Sequence, residues 1–240
     1  MTNTYKAEVD LHVHSLASGH AYSTINEIAA EAASRGLRGI AMTDHGPAMP
    51  AAPHSYHFEC LYMIPDYLSG VRILKGAETN IIAPGRVDLS DRLLAKMDLV
   101  LAGFHHDCGY GPSDRRANTS AVMELMENPS IHIICHPGNP EYPLDYEAVA
   151  RQAAATGTAL ELNNSSFVTS RIGSADNCRL IARLCARFGG PVSLGSDAHI
   201  AQSVGHFGHV FEALSAAGVD PDQIINRSLE ATLDFLGLTD

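Results

Sequence analysis

The sequence predicts an α/β fold: a parallel barrel of about seven strand–helix units forming one domain over residues 1–240. Three observations carry this. Short apolar runs alternate with amphipathic helical patterns, nearly every apolar run ends in His, Asp or Glu, and 240 residues match the roughly 200–250 of a single α/β barrel.

Taken in order, "DLHVHS" alternates Leu11 and Val13 with His12 and His14, the pattern of a strand with one buried face. In "STINEIAAEAASRG", Thr24 with Glu27 three residues on forms a capping box. Ile25, Ile28, Ala29 and Ala32 then follow at helical spacing up to Gly36. "GIAMTDH" is a second strand, buried on both faces, ending at Asp44 and His45, and the crossover joining the two is expected to be right-handed. The same grammar recurs in "VRILKGAE" ending at Glu78, "LVLAGFHH" at His105, "IHIICHPG" at His136, "TALELNNSS" at Asn163 and "PVSLGSDAH" at Asp197 and His199. "YEAVARQAAATG" and "DNCRLIARLCARFG" are helices closed by glycine. Two long stretches, "GPAMPAAPHSYHFECLYMIPDYLSG" and "HDCGYGPSDRRANT", read as irregular loops at the rim of a site.

Composition narrows the function. No uncharged apolar run approaches the roughly 18 residues of a membrane span, and "MTNTYKAEVD" lacks a secretion-signal pattern, so a cytoplasmic protein without membrane association is expected. Five cysteines without a CxxC pair read as reduced thiols. A formal charge of −11 opposes loose binding to nucleic acid, which depends on Lys and Arg neutralising phosphates. A small anionic substrate is compatible with that charge if metal ions supply local positive charge. Self-association into a homo-oligomer is also compatible with the sequence.

In a parallel barrel the strand ends build one rim, where active sites sit. His12, His14, His45, Glu78, His105, His136, Asp197 and His199 all fall at or just beyond strand ends, and His20 in the first loop can fold back over the same mouth. His12 and His14, two apart on a strand, share a face. Imidazoles with carboxylates suit zinc or iron, with tolerance for manganese, and this many donors exceed one ion's needs. Of the remaining histidines, His132 reads as structural and His54, His57, His206 and His209 as solvated, while His106 is ambiguous: it adjoins His105 but points to the opposite side if the strand continues. Arg171 reads equally as a bidentate phosphate fork or as a solvated charge.

"DLHVHS", "TDHG", "GAE", "GFH", "ICHPGNP", "LELNNSS" and "GSDAH" together resemble the PHP superfamily, named for polymerase and histidinol phosphatase domains. "GHAYST" and "ELNNSS" look most like its YcdX-type phosphatase branch. The resemblance runs over essentially the whole chain and implies a distorted (β/α)7, TIM-like barrel with three divalent ions, usually zinc, with manganese or iron as variants. It implies that His12, His14, Glu78 and Asp197 hold the first ion. Glu78 bridges to a second held by His105 and His136, and His20, His45 and His199 hold the third. One departure is "GFHHD", where His106 stands in a position at which that branch carries glutamate.

The implied activity is hydrolysis of small phosphate monoesters by water activated between two ions, with Glu78 and Asp197 as catalytic residues and Arg171 as substrate ligand. A phosphodiesterase or 3′-5′ exonuclease on the same site is the first alternative. It calls for a basic, aromatic groove, whereas tryptophan is absent and only Arg115 and Arg116 pair near the rim. A noncatalytic metal-holding module is the second alternative; a cluster with a shared carboxylate and an open mouth argues against it.

Overall fold

A computed structural model describes residues 5–111 and 113–239. Its parallel strands run β1 (Val9–Val13), β2 (Gly39–Met42), β4 (Val71–Ala83), β6 (Leu99–Gly103), β7 (Ile133–Ile134), β8 (Ala159–Asn163) and β9 (Val192–Gly195), hydrogen-bonded in that order. Two short strands, β3 (Tyr67–Leu68) and β5 (Arg86–Val87), pair antiparallel with β4. The helices are α1 (Ile25–Ser34), α2 (Ser55–Glu59), α3 (Asp91–Leu94), α4 (Arg115–Met126), α5 (Tyr146–Thr156), α6 (Ser174–Phe188), α7 (Gly208–Ala217) and α8 (Leu229–Leu236). The sheet forms a nearly closed barrel, as the alternating pattern predicts. Among the described residues no helix is long and apolar enough to cross a membrane.

The capping box at Thr24 and Glu27 forms as expected, and α5 and α6 end on Gly157 and Gly189 in the left-handed conformation that favours glycine. Four expectations need adjustment. β1 is buried on both faces. Its pairing with β2 shifts register between Asp10 and Val13, which breaks the simple alternation. Val9 and Leu11 pack in the barrel interior with Ala41, Leu74, Leu99 and Leu229 of α8, while Val13 joins the apolar layer that includes Ile28 and Ala29 of α1.

β4 does not stop at Glu78. Glu78, Thr79 and Asn80 continue the ladder to Leu101, Ala102 and Gly103, and the chain then turns at Pro84–Gly85 into β5. β7, in contrast, is only Ile133–Ile134, because His136 takes a positive φ of 33° and Pro137 has no N–H to extend a ladder. The first irregular stretch contains α2, a 3₁₀ turn at Leu61–Met63 and β3, so this rim segment is built rather than loose.

The barrel closes between β1 and β9 through backbone and side-chain bonds, among them Ser196 N to Asp10 Oδ1 at 3.1 Å. On the rim side, Asp197 N donates to His12 O (3.0 Å) and His14 N to Ala198 O (2.9 Å). Further down, the buried Asn226 side chain donates to Val9 O (2.7 Å) and Leu194 O (2.9 Å) and accepts from Leu194 N (3.1 Å).

Candidate metal centre

The strand ends deliver the polar residues to one place. The Nε2 atoms of His12 and His14 lie 3.1 Å apart. Glu78 Oε2 is 3.3 and 3.4 Å from them, and Asp197 Oδ1 is 3.6 and 3.3 Å away. The hydrogen-bond partners on the far side of each ring fix which nitrogen is free. His12 Nδ1 donates to Glu161 Oε1 at 2.7 Å, since an ionised carboxylate only accepts. Ser18 Oγ gives its proton to Asp44 Oδ1 (2.6 Å) and accepts from His45 N (3.2 Å), so at 3.1 Å it takes a further proton from His14 Nδ1. Both Nε2 atoms therefore turn toward the two carboxylates.

Glu78 is the hub. Its Oε1 lies 2.6 Å from His136 Nε2 and 3.1 Å from His105 Nε2, and these two nitrogens are 3.3 Å apart. Its Oε2 lies 2.8 Å from His45 Nδ1. Beyond His45, the His14 ring stacks on it at 4.4 Å and lies 4.3 Å from His199, and the His20 ring is 5.0 Å from His45 and 4.9 Å from His199. Donor atoms fall into four triplets within 4.8 Å of one another: His12, His14 and Asp197; His12, Glu78 and His136; His45, Glu78 and His105; His14, His45 and His199. His20 joins by ring stacking rather than within such a triplet.

The donor set fits divalent cations. Glu78 Oε2 and Asp197 Oδ1 are buried without any hydrogen-bond donor, which is costly for a carboxylate unless a cation faces it. Burial pushes the carboxyls of Glu78 and Asp197 up, but His12 and the neighbouring imidazoles, together with Arg171 beside Asp197, outweigh it and hold both well below the usual range. Burial also opposes charge on His12, yet the carboxylates of Glu161, Glu78 and Asp197 raise its pKa well above the usual imidazole value. Burial and then His45 lower His14 to about 3, and burial and then Arg171 lower His136 to about 4. His14 and His136 are thus neutral beside ionised carboxylates, the state a cation needs, and a cation bound among His12, Glu78 and Asp197 would displace the extra proton that His12 carries in its place.

Arg171 is not a solvated charge. Both of its terminal nitrogens donate to Asp197 Oδ2 at 3.0 Å, and Ser166 and Ser170 accept from one of them. The guanidinium is thus a largely buried partner of a candidate ligand, although it also borders a cavity of about 500 Å³ with His105 and Glu141. His106 points away from the cluster and pairs with Glu141 at 2.5 Å. His132 is structural, its Nδ1 accepting from Val100 N, and His54 caps α2. His57 is not simply solvated: its Nε2 lies 3.6 Å from Asp44 Oδ2.

The sequence reading missed Glu161, Ser18, Asp44 and Asn163. Glu161 Oε2 also accepts from His136 N (2.6 Å) and Asn163 Nδ2 (3.2 Å), and Asn163 reaches Asp197 Oδ2 at 3.1 Å. The available signal was a charged residue in the middle of an apolar strand, Glu161 in "ALELN", which needs a buried partner.

The family model of the PHP domain matches residues 10–165. The chain belongs to the PHP family. Among its PHP relatives, a probable phosphatase of Syntrophotalea carbinolica is 84% identical over 99% of both chains. The probable phosphatase YcdX of Escherichia coli is 44% identical over 95% of this chain and 93% of its own. The fold also matches the crystal structure of histidinol phosphate phosphatase from Lactococcus lactis, complexed with zinc, L-histidinol and phosphate. The TM-score is 0.62 at 18% identity, covering 88% of this chain and 94% of that one.

Proposed function

We propose that this PHP protein is a metal-dependent phosphatase that hydrolyses small phosphate monoesters at a trinuclear centre. It is a hydrolase, in keeping with the names of its close relatives. The observation that carries the reading is the pair of buried oxygens, Glu78 Oε2 and Asp197 Oδ1, that accept no hydrogen bond and lie among the ring nitrogens of His12, His14 and His45. Divalent cations, when bound, would acidify water and neutralise the phosphoryl oxygens. We assign His12, His14, Glu78 and Asp197 to one ion, Glu78, His105 and His136 to a second, and His20, His45 and His199 to a third. Zinc is the favoured metal, with manganese or iron as variants.

In this reading Glu78 spans two ion positions through its separate oxygens. Asp197 is held by Arg171 and Asn163 on Oδ2, so that Oδ1 stays directed at the cluster. The remaining N–H groups of Arg171 are available to a phosphoryl oxygen from the neighbouring cavity. The whole chain acts as one domain, in the cytoplasm, on a freely diffusing phosphate ester. Metal analysis of protein prepared without a histidine tag should give three ions per chain. Glu78→Ala should lose at least one of them and most activity on an aryl monoester, with diester and single-stranded DNA poor substrates throughout. A Glu78→Ala protein with full metal content and full turnover would overturn the assignment.

A further inference from the structure

Two cavities border the Asp197–Arg171 pair. The smaller, about 500 Å³, includes Arg171, His105 and Glu141. The larger, about 850 Å³, includes Asp197 and His199 and extends between the loop after β8 and the start of α7. A space of that size holds a whole small-molecule ligand, many times a phosphoryl group. Asn164 Oδ1 accepts from His209 N at 3.2 Å, which ties the two walls together.

The lining sets the chemistry. Thr169, Ser203, His206 and His209 offer hydroxyl and imidazole edges, and Ile200 and Phe207 offer apolar surface. Burial, then Arg35, lowers the pKa of His206 and keeps that ring neutral. Among the described residues no Lys, Arg or Glu lines the cavity, and the one carboxylate, Asp197, is already paired with Arg171. A cationic or second anionic group entering here would lose hydration and meet no free countercharge, whereas sugar hydroxyls would find matching donors and acceptors.

We propose that the larger cavity seats the alcohol half of the substrate, and that this alcohol is uncharged, hydroxyl-rich and of sugar size. The inference rests on the phosphatase reading above. Gly208, at the first position of α7, lines the cavity, and a Cβ added there meets nothing within 4 Å. Gly208→Leu therefore adds bulk at the cavity wall with no clash at Cβ and no left-handed backbone angle to oppose it.

The test uses metal-loaded protein, calorimetric binding of the methylene phosphonate analogue of glucose 6-phosphate, inorganic phosphate as a second probe, and turnover of glucose 6-phosphate and histidinol phosphate. The wild type should bind the phosphonate at least roughly tenfold more tightly than phosphate. Gly208→Leu should lose about that factor for the phosphonate and none for phosphate. Equal affinities, an equal loss for both probes, or no loss would overturn the proposal. A preference for histidinol phosphate that Glu141→Gln removes would also overturn it, by placing the alcohol in the smaller cavity. Phosphonate binding with the expected Gly208→Leu loss, but no turnover of any ester, would leave the cavity assignment standing and remove the hydrolase reading instead.

Discussion

Glu161 decides which nitrogen of His12 faces the cluster, and it does so without being near it in sequence. Its Oε1 takes the His12 Nδ1 proton from 149 positions away, while Oε2 takes the His136 N–H and an Asn163 N–H. A glutamine in its place would turn an NH₂ group toward donors on one side or the other. Glu161→Gln should therefore fold but bind metal about 10- to 100-fold more weakly, the usual cost of losing a group that orients a ligand. Chelator competition measures this, and an unchanged affinity would show that the His12 ring is held by other means. The same residues show what was legible. His12, His14, Glu78 and Asp197 could be read because strand-end position alone brings them together. Glu161 stands out only as a charge in an apolar strand, since its partner His12 lies 149 positions away, and Ser18, four residues from His14, takes its role from a bond to Asp44 that no local pattern encodes.

At the level of elements, the order of strands was readable from alternation, and their lengths were not. β4 continues beyond Glu78 because β6 and β5 supply partners for it, a tertiary fact. Glycines in strands mark close approaches: a Cβ on Gly195 of β9 would come within 2.7 Å of His12 Cβ and closer still to Glu161 Oε1, so β9 gives up a side chain to make room for that pair. The rim segment read as loop is held by charge. Glu59, at the end of α2, accepts from Arg92 of α3 and from Lys96 Nζ at 2.5 Å. Its hydrogen bonds to Arg92 and then Lys96 lower its carboxyl from 4.5 to about 2. A depressed folded-state value means that the stabilisation is complete above pH 4.5 and disappears as pH falls toward about 2. Glu59→Gln should accordingly differ from wild type in urea midpoint near neutral pH and converge with it across that window. A gap that persists unchanged at the acid end would assign the difference to packing rather than charge.

For the whole molecule, closing the barrel and building the site are one event. β1 and β9 meet on the rim side through the backbone of residues that flank or carry the candidate ligands, His12, His14, Asp197 and Ala198. Further down, side chains take over: Asp10 Oδ1 accepts from Ser196 N, and Asn226 satisfies Val9 O, Leu194 O and Leu194 N at once; it is the asparagine that bridges the two strands. Its amide substitutes for a ladder that the two strands do not complete, and α8 follows directly to plug the interior with Leu229 and Leu233. Asn226→Ala would deprive three buried backbone groups of the partner that the amide supplies. At about 1–3 kcal/mol for each stranded group, with some relaxation, the loss should total about 3 kcal/mol. For a chain of this size that is a fall in Tm of roughly 6–12 °C. Because the same seam fixes the distance from His12 and His14 to Asp197, metal affinity should fall along with stability. Calorimetry of the apo and metal-loaded variant separates the two effects: a drop in the apo protein measures the seam, and a larger drop in the loaded protein measures its hold on the cluster. A variant whose apo Tm falls by the expected amount but whose metal affinity matches wild type would mean that the rim-side bonds position the ligands unaided.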